Sequence, residues 1–371
     1  MTSRNPSAAN TATSAATAVP VARSAATKTS PASSSGPRRG LVLGAGGVLG
    51  AAWMIGALRV FEEQTGIDPR TVETVVGTSA GSVLAASLAS GVGTEELALH
   101  QQQHRGAADL LAEAQGTEPD EGPASRFQYD YDSQRSLPPR PRWGTVGSVR
   151  LLTATARRPR RVTPLAAMTA LLPAGRGSIE EVGRLIDQVA PADGSWPSDP
   201  HPWIVAMDYA TGRRIPFGRA GSPPASLRQA VQASCAIPGW YEPVSIGGHR
   251  YVDGGTCSST SLDLLAGLGL DEVFVFAPMA SFVVDSPKTA LARIERGIRH
   301  TLTRRLRREA VKVKAAATRV AMLGPGPADL EAIGVNLMNP RRRQRVFETA
   351  MTSTPVALED ALRRGRVTIA A

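Results

Sequence analysis

The amino-acid sequence predicts an α/β fold in which helices pack on a mostly parallel β-sheet. Two observations predict it: the order strand, glycine-rich turn, helix occurs after Leu41 and again after Val72. Such a repeat is typical of a parallel sheet with helices on its faces. A third observation is the serine in the second turn, which indicates where on the sheet chemistry would take place.

The first predicted elements are strand Leu41–Leu43, helix Ala51–Glu63, strand Val72–Val76 and helix Ser82–Ser90. Within the first helix, four large apolar side chains recur at helical spacing and are expected to face inward: Trp53, Ile55, Leu58 and Phe61. The second helix is rich in alanine, and Gly91 marks its end.

Beyond residue 200 the predicted elements are strand Trp203–Asp208, strand Arg214–Phe217, helix Ser226–Ser234, hairpin Val244–Val252 and strand Asp271–Phe276. Ser226 is a candidate N-cap, and Gly247-Gly248 forms the hairpin turn. The hairpin delivers Asp253 at its end. The rest of the chain is predicted to be helical, with breaks at 324–327 and 339–340.

Composition divides the chain into three parts. Residues 1–39 are rich in Ala, Ser, Thr and Pro and contain no acidic residue. A disordered tail is expected there, with a transit peptide as the less favoured alternative. Residues 40–281 form the predicted catalytic domain, and 282–371 form a basic, helical C-terminal extension.

Within the catalytic domain, about 106–200 is a polar, proline-containing insertion with two predicted helices, Pro164–Leu172 and Ser178–Val189. A long excursion between core strands serves either as a lid over a site or as a surface loop without a catalytic role. Both interpretations stay open at this stage.

Overall composition, 42% hydrophobic and 20% charged residues, is that of a soluble globular protein. The sequence contains no run of 18 apolar residues that would predict a transmembrane helix, and a cytoplasmic location is expected. The two cysteines, Cys235 and Cys257, do not have metal-ligand spacing and are expected to be small buried side chains in a reducing compartment. Neither a metal nor a cofactor is expected.

The serine turn is Gly77-Thr78-Ser79-Ala80-Gly81. The pattern G-x-S-x-G alone is a weak signal, but here it lies between a β-branched strand and an alanine-rich helix. That context is typical of a nucleophile elbow, which lifts the serine hydroxyl clear of the sheet near the positive end of the helix dipole. The alternative is a turn with a purely structural role.

The first glycine-rich loop is Gly44-Ala45-Gly46-Gly47-Val48-Leu49-Gly50. A dinucleotide-binding loop would need a glycine at Ala45 and an acidic residue at the end of the second strand, and both are missing. Backbone N–H groups of Gly46 and Gly47 are therefore better interpreted as donors to a developing oxyanion.

A reactive serine needs a base, which is usually a histidine held by a carboxylate. The chain has five histidines, but none lies in a suitable sequence context: His100, His104, His201, His249 and His300. His100, His104 and His300 are expected on solvated helix faces, and His249 on an exposed hairpin. Asp253-Gly254-Gly255 then supplies the base, and a direct Ser79–Asp253 dyad is favoured.

Four segments in this order resemble the patatin-like phospholipase family over roughly Gly40–Pro278: LVLGAGGVLG from Leu41, VVGTSAGS from Val75, ASCAIPGWYEPV from Ala233 and YVDGG from Tyr251. The resemblance implies a three-layer α/β/α fold, Ser79 as nucleophile, Asp253 as base, an oxyanion hole at Gly46 and Gly47, no metal, and a lipid or acyl-ester substrate. The sequence departs from the family pattern at Ala45, which fits if its φ is negative, and at Leu49, where a basic residue is common.

The competing class is a nucleotide- or nucleic-acid-binding protein. The net charge of +10 is concentrated in the tail and in residues 291–314, which hold nine basic and two acidic residues. No aromatic residues are interleaved there, so base stacking is not offered and no nucleic-acid partner is expected. The same segment is amphipathic, with apolar residues at 291, 294, 298, 302, 306 and 313. It either lies on an anionic membrane or packs its apolar stripe on the domain, and packing is slightly favoured.

Overall fold

A central sheet of eight strands organises the part of the chain that the computed structural model describes, which is residues 36–102, 146–158, 162–173, 175–283, 285, 287 and 289–367. The strands are β1 (Arg39–Leu43), β2 (Thr74–Thr78), β3 (His201–Asp208), β4 (Arg214–Phe217), β5 (Val244–Ile246), β6 (His249–Asp253), β7 (Glu272–Phe276) and β8 (Arg319–Leu323). Most of the predicted tail and residues 103–145 of the predicted insertion lie outside the described residues.

The strand order is β5-β6-β3-β2-β1-β7-β8, and β4 also pairs with β3. The run β3-β2-β1-β7-β8 is parallel throughout. The pairs β3–β4, β3–β6 and β5–β6 are antiparallel. The prediction of a mostly parallel sheet is therefore confirmed.

The described helices are α1 (Gly47–Thr65), α2 (Ala80–Ala89), α3 (Thr94–Gln102), α4 (Val149–Arg157), α5 (Pro164–Thr169), α6 (Glu180–Val189), α7 (Leu227–Cys235), α8 (Ala290–Lys314), α9 (Pro327–Ile333) and α10 (Arg343–Gly365). Short 3-10 turns occupy Pro69–Thr71, Gly254–Thr256, Leu262–Leu265 and Pro340–Arg342.

Ser226 caps α7, as the sequence predicts, and forms a capping box with Gln229. The predicted turn glycines, Gly247 and Gly248, both have positive φ angles, as a two-residue hairpin turn requires.

Alternating side chains of the strands give the sheet two apolar faces. On the first face, Leu41 and Leu43 share a buried cluster with residues of α1, α2, α6, α7 and α10. On the second face, Val42 packs with the buried side chains of α8, and a smaller cluster joins β3 and β6 to α4 and α5. Helices thus cover both faces, which confirms a three-layer α/β/α arrangement.

One prediction for the C-terminal region is wrong. Residues 319–323, expected to be helical, form β8 and pair in parallel with β7. Val320, Ala321 and Leu323 are buried, and so short an apolar run cannot be assigned to a strand or a helix by periodicity alone. The last described helix, α10, lies on the first face against α1, where a Cβ added to Gly56 would be 3.0 Å from Ala350.

Candidate active site

The sheet itself brings Ser79 and Asp253 together. Along one edge of β3, Thr78 of β2 pairs with Val205, and Asp253 of β6 pairs with the next residue, Ala206. The other edge at this point is occupied by β4. Because β2 and β6 follow one another on the same edge, the residue after Thr78 and the last residue of β6 become neighbours.

Ser79 lies in a sharp turn between β2 and α2, with φ 55° and ψ −124°. Its backbone N–H donates to Ser234 Oγ at 2.9 Å, and its carbonyl accepts from both the N–H (2.7 Å) and the hydroxyl (2.6 Å) of Ser82. A positive φ at a residue with a side chain is unfavourable unless surrounding contacts enforce it, and such residues cluster at functional sites. The geometry is that of the predicted nucleophile elbow.

The two glycines of this turn are required by close packing. A Cβ added to Gly81 would be 2.0 Å from the carbonyl oxygen of Leu43, and one added to Gly77 would be 2.5 Å from the carbonyl oxygen of Gly81. Contacts this short to backbone atoms cannot be relieved by a side-chain rotation. The glycines therefore allow α2 to start directly behind the end of β1.

Asp253 is buried beneath the serine. Its Oδ1 accepts the N–H of Gly255 at 2.7 Å, and the Ser79 hydroxyl lies close enough to the carboxylate to affect its pKa. Burial raises the pKa of Asp253 to about 6, although the Ser79 hydroxyl and the Gly255 N–H act to lower it. Gly254, the next residue, is also required by close packing, because an added Cβ would be 2.3 Å from the carbonyl oxygen of Val205. The carboxylate is thus ionised at neutral pH and still a stronger base than an exposed aspartate.

Contacts from distant parts of the chain hold the first glycine-rich loop. The N–H of Gly44 donates to Phe276 O at 2.9 Å, and the N–H of Ala45 donates to Ser259 O at 2.7 Å. Ala45 is not among the described residues with positive φ, so alanine is compatible with this position. These two bonds fix the loop at the end of β1, beside the serine turn.

Gly46 and Gly47 lead into α1, which begins at Gly47. Neither N–H has a hydrogen-bond partner among the described residues. Gly47 has φ +62°, and a Cβ there would be 3.0 Å from Leu337 O. Pro278 packs against the other side of the loop, at 2.7 Å from a Cβ added to Gly46 and 3.2 Å from one added to Gly50. Two donors at a helix N-terminus remain available for a negatively charged oxygen.

A mostly apolar pocket opens above Ser79. Its empty volume is about 620 Å³, including space open to solvent. The walls come from α1, α2, α6 and the segment after α7, and include Gly47, Val48, Ile55, Val83, Val182, Leu185, Ile237, Tyr241 and Met338. Since α6 lies within the predicted insertion, part of the insertion lines the pocket. Whether it acts as a lid stays a prediction.

The histidines of the described residues do not line this pocket. The side chain of His249 is 63% exposed and lies 3.3 Å from Asp208, as an exposed hairpin position predicts. His201 contacts Gly218 O at 2.7 Å. His100 is buried, so its expected position on a solvated helix face is wrong, and His104 lies outside the described residues.

Both cysteines are buried and unpaired, as predicted. Cys235 lines the pocket and donates to Ser79 O at 3.3 Å, but burial raises the pKa of its thiol to about 12. A thiol with that pKa stays protonated and is a poor nucleophile at neutral pH. Ser79 therefore remains the candidate nucleophile of the pocket.

Several supporting residues were not identified from the sequence. Ser234 relays a hydrogen bond from Ser79 N–H to Val205 O, the latter at 2.6 Å. A polar residue in the last, buried turn of α7 was the available signal. Pro278 and Met338 reach the site only through tertiary packing, and the sequence carries no local sign of it.

Comparison with known proteins assigns the family. The model of the patatin-like phospholipase family matches residues 41–266, more than half of the chain. The chain therefore belongs to the patatin-like phospholipase family, a family of lipid hydrolases. No curated protein sequence matches the chain significantly.

Two solved structures show similarity over most of the chain, at low sequence identity. VipD from Legionella pneumophila is 14% identical, with a TM-score of 0.38, over 88% of this chain and 67% of VipD. The type III effector protein ExoU is 18% identical, with a TM-score of 0.33, over 88% of this chain and 53% of ExoU. The chain thus spans about half of the ExoU length. No helix among the described residues has the length and apolarity to span a bilayer.

Proposed function

We propose that the protein is a serine acyl hydrolase that cleaves carboxylic ester bonds of lipids, of the phospholipase A or lysophospholipase type. One observation carries the proposal: the Ser79 hydroxyl lies beside a buried carboxylate, that of Asp253, and Ser79 itself lines an apolar pocket. The positive φ of Ser79 and the unpaired N–H groups of Gly46 and Gly47 support it.

In the proposed reaction, Asp253 accepts the Ser79 proton while Oγ attacks the ester carbonyl carbon. Charge develops on the carbonyl oxygen, and the N–H groups of Gly46 and Gly47 stabilise it. Asp253 then returns the proton to the leaving alcohol, which departs from the acyl-enzyme. Water hydrolyses the acyl-enzyme by the reverse proton path, again with Asp253 as base. The original Ser79 proton thus leaves with the alcohol, and a proton from the attacking water passes through Asp253 to restore the Ser79 hydroxyl.

The pocket favours an acyl chain as the group bound beside the serine. Apolar side chains such as Ile55, Val182, Leu185 and Met338 line it, and the hydrophobic effect rewards burial of methylene groups at about 0.8 kcal/mol each. A nucleotide is not favoured as the ligand of the first glycine-rich loop. Gly47 of that loop lines the same apolar pocket as Ser79, so the loop faces the proposed hydrolytic site. The steps above use side chains and backbone groups of the chain alone.

Replacement of the nucleophile tests the proposal. Ser79→Ala should abolish both the turnover of a p-nitrophenyl acyl ester and the covalent labelling by a fluorophosphonate probe. Ser90→Ala is a matched control at the end of α2, because the Ser90 hydroxyl has no described hydrogen-bond partner. Lipid products can be identified by mass spectrometry after incubation with a mixed lipid extract. Turnover retained by Ser79→Ala would refute the assignment.

We also propose that α8 makes peripheral contact with anionic membranes. Its predicted apolar stripe is divided: Leu306 and Val313 are buried, whereas Leu291, Ile294 and Ile298 are 59%, 63% and 53% exposed. Packing thus accounts for the second half of the helix only. Exposed apolar residues next to arginines are typical of helices that lie on anionic lipid surfaces.

Vesicle co-sedimentation tests the membrane proposal. Binding should increase with phosphatidylglycerol content, decrease with salt, and weaken when Leu291, Ile294 and Ile298 are changed to serine. Reversal of Arg304, Arg307 and Arg308 to glutamate should weaken it as well. Arg305 is left unchanged, because its Nε lies 3.2 Å from Glu309. Equal sedimentation on neutral and anionic vesicles would contradict this role.

A further inference from the structure

A second cleft, lined by arginines, lies on the second face of the sheet. It is bounded by the end of α4, the turn between β3 and β4, and α8, and its arginines are Arg157, Arg158, Arg213, Arg214 and Arg305. Gly212 and the buried Cys257 and Val162 also line it. The empty volume is about 1630 Å³, including space open to solvent. No lining residue is shared with the pocket above Ser79.

The charges of this arginine cleft are unbalanced. No aspartate or glutamate is among its described lining residues. Arg157, Arg158 and Arg213 are exposed, and none forms an ion pair with another described residue. Like charges held close together repel each other, so an anion that bridges them would be favoured.

The two inner arginines of the cleft, Arg214 and Arg305, are each held by a carboxylate. Arg214 Nη1 donates to Asp263 Oδ1 at 2.8 Å, and Arg305 Nε donates to Glu309 Oε1 at 3.2 Å. A guanidinium has five N–H donors, and each of these bonds uses one of them. Both side chains are therefore oriented by a carboxylate outside the lining and keep further donors for a ligand.

Arg214 and Arg305 also lie close to the buried Cys257, which lines the inner end of the cleft. Burial raises the pKa of that thiol to about 11, and the charges of the two guanidiniums act in the opposite direction.

We infer that the arginine cleft is a binding site for a phosphate-bearing anion, separate from the hydrolytic pocket. Guanidinium groups bind phosphate oxygens through paired, charge-assisted hydrogen bonds, and several arginines can share one phosphorylated group. The described lining has no Phe, Tyr or Trp, so stacking of a nucleobase is not offered. The phosphate can belong to a lipid head group or to a soluble molecule, and the experiment separates these sources.

Binding is measured on the Ser79→Ala protein, so that the result does not depend on hydrolysis. The cleft variant is Arg157→Gln, Arg158→Gln and Arg213→Gln combined. The control variant is Arg176→Gln, Arg341→Gln and Arg345→Gln, which makes the same charge change on exposed positions outside both the cleft and α8. Inorganic pyrophosphate is titrated calorimetrically, with sulfate at matched ionic strength. Phosphatidylcholine vesicles with and without phosphatidic acid form the second arm.

The cleft variant should bind pyrophosphate, phosphatidic acid vesicles or both at least about tenfold more weakly, since it loses three guanidinium groups that can form charge-assisted hydrogen bonds with phosphate. The control variant should keep its pyrophosphate affinity. A loss in the pyrophosphate arm assigns a soluble phosphate, and a loss in the vesicle arm alone assigns a lipid head group. Equal affinities for the cleft variant and the parent, or no binding in either arm, would overturn the inference. Circular dichroism melting confirms that both variants are folded.

Discussion

Two glycine-containing turns meet at the candidate site, and they are held in place in different ways. The end of β1 is paired in register with the end of β2, with Leu43 opposite Gly77, and each strand is followed by a turn and a helix. In the serine turn, the positive φ of Ser79 is stabilised by Ser82, three residues later, and by Ser234 and Cys235 of α7. The first glycine-rich loop depends on Phe276 and Ser259, more than 200 residues away in the sequence.

The difference separates the reactive group from the groups that would stabilise charge. The second half of the chain supports the first glycine-rich loop, the proposed oxyanion loop, at several points. Arg299 of α8 binds Pro278, and Glu309 of α8 binds the segment around Ser259. Distant changes should therefore act on the oxyanion loop first and leave the serine turn intact. The following predictions test this separation.

The largest effect is expected at Asp253, the carboxylate beneath Ser79. Asp253→Asn keeps the shape and can still accept the Gly255 N–H, but an amide cannot take the serine proton. We expect kcat/KM to fall at least about a thousandfold, as for other residues that act as one catalytic unit. Hydrolysis of a soluble acyl ester measures the loss.

The folding stability of Asp253→Asn should rise although its activity falls. A carboxyl pKa raised from 3.8 to about 6 means that the ionised form disfavours the folded state by roughly 3 kcal/mol. This group favours folding below about pH 4, and that contribution is lost as the pH rises through about 6. Asp253→Asn should therefore be at least as stable as the parent at pH 8, with an advantage that shrinks towards pH 4. Urea denaturation at both pH values checks it, and a loss of stability at pH 8 would indicate a structural role for the carboxylate.

The next effect concerns the local support of the serine turn. Gly81→Ala would place a Cβ 2.0 Å from Leu43 O, and the backbone must shift to accommodate it. We expect a loss of about 3 kcal/mol in the free energy of unfolding, the upper range for overpacking. Gly297→Ala is the control, because it adds a methyl group in α8 with no atom within 4 Å. That control should stabilise the protein by up to about 1 kcal/mol, and similar denaturation midpoints for the two variants would contradict the packing argument.

The pH dependence of hydrolysis reports on the same carboxylate. Asp253 must be ionised to accept a proton, and burial raises its pKa to about 6. Below that value kcat/KM should fall about tenfold per pH unit, and above it the rate should level off. Stopped assays between pH 4 and 8 with a soluble ester measure the profile. A rate that stays constant down to pH 4.5 would exclude Asp253 as the base.

Whether a feature of the candidate site can be predicted from the sequence depends on how far apart in the sequence the contacting residues are. The serine turn and the end of the β-hairpin carry their own glycine patterns, so Ser79 and Asp253 were identified as candidates and the sheet places them side by side. The supports of the oxyanion loop carry no local pattern. Pro278 and Met338 become relevant only after β7 and the C-terminal segment are packed.

The C-terminal region illustrates the same limit. Its helices were predicted, but β8 was not, because the apolar run of four residues from Val320 to Leu323 fits a buried helix as well as a strand. Only pairing with β7 decides between them. The apolar stripe of α8 is likewise divided into a buried and an exposed half by its tertiary contacts. No residue pattern within the helix predicts this division.

The smallest effect should come from the remote support of the oxyanion loop. Glu309 in α8 is buried and accepts hydrogen bonds from Ser258 Oγ (2.6 Å), Thr260 Oγ (3.0 Å) and Leu262 N–H (3.1 Å). Ser259, inside this segment, accepts the N–H of Ala45. Glu309→Gln replaces one acceptor oxygen by a donor, so the segment should shift and move the loop away from its position for oxyanion binding.

We expect kcat for Glu309→Gln to fall about tenfold, which corresponds to about 1.4 kcal/mol of transition-state stabilisation. KM and the apparent pKa of the pH profile should not change, since the pocket and Asp253 are untouched. Glu331→Gln, an exposed position in α9, is the control and should behave as the parent. A lower melting temperature with kcat unchanged would mean that Glu309 only anchors α8. A shifted pKa would mean that the disturbance reaches Asp253, and the two turns would then not be independently supported.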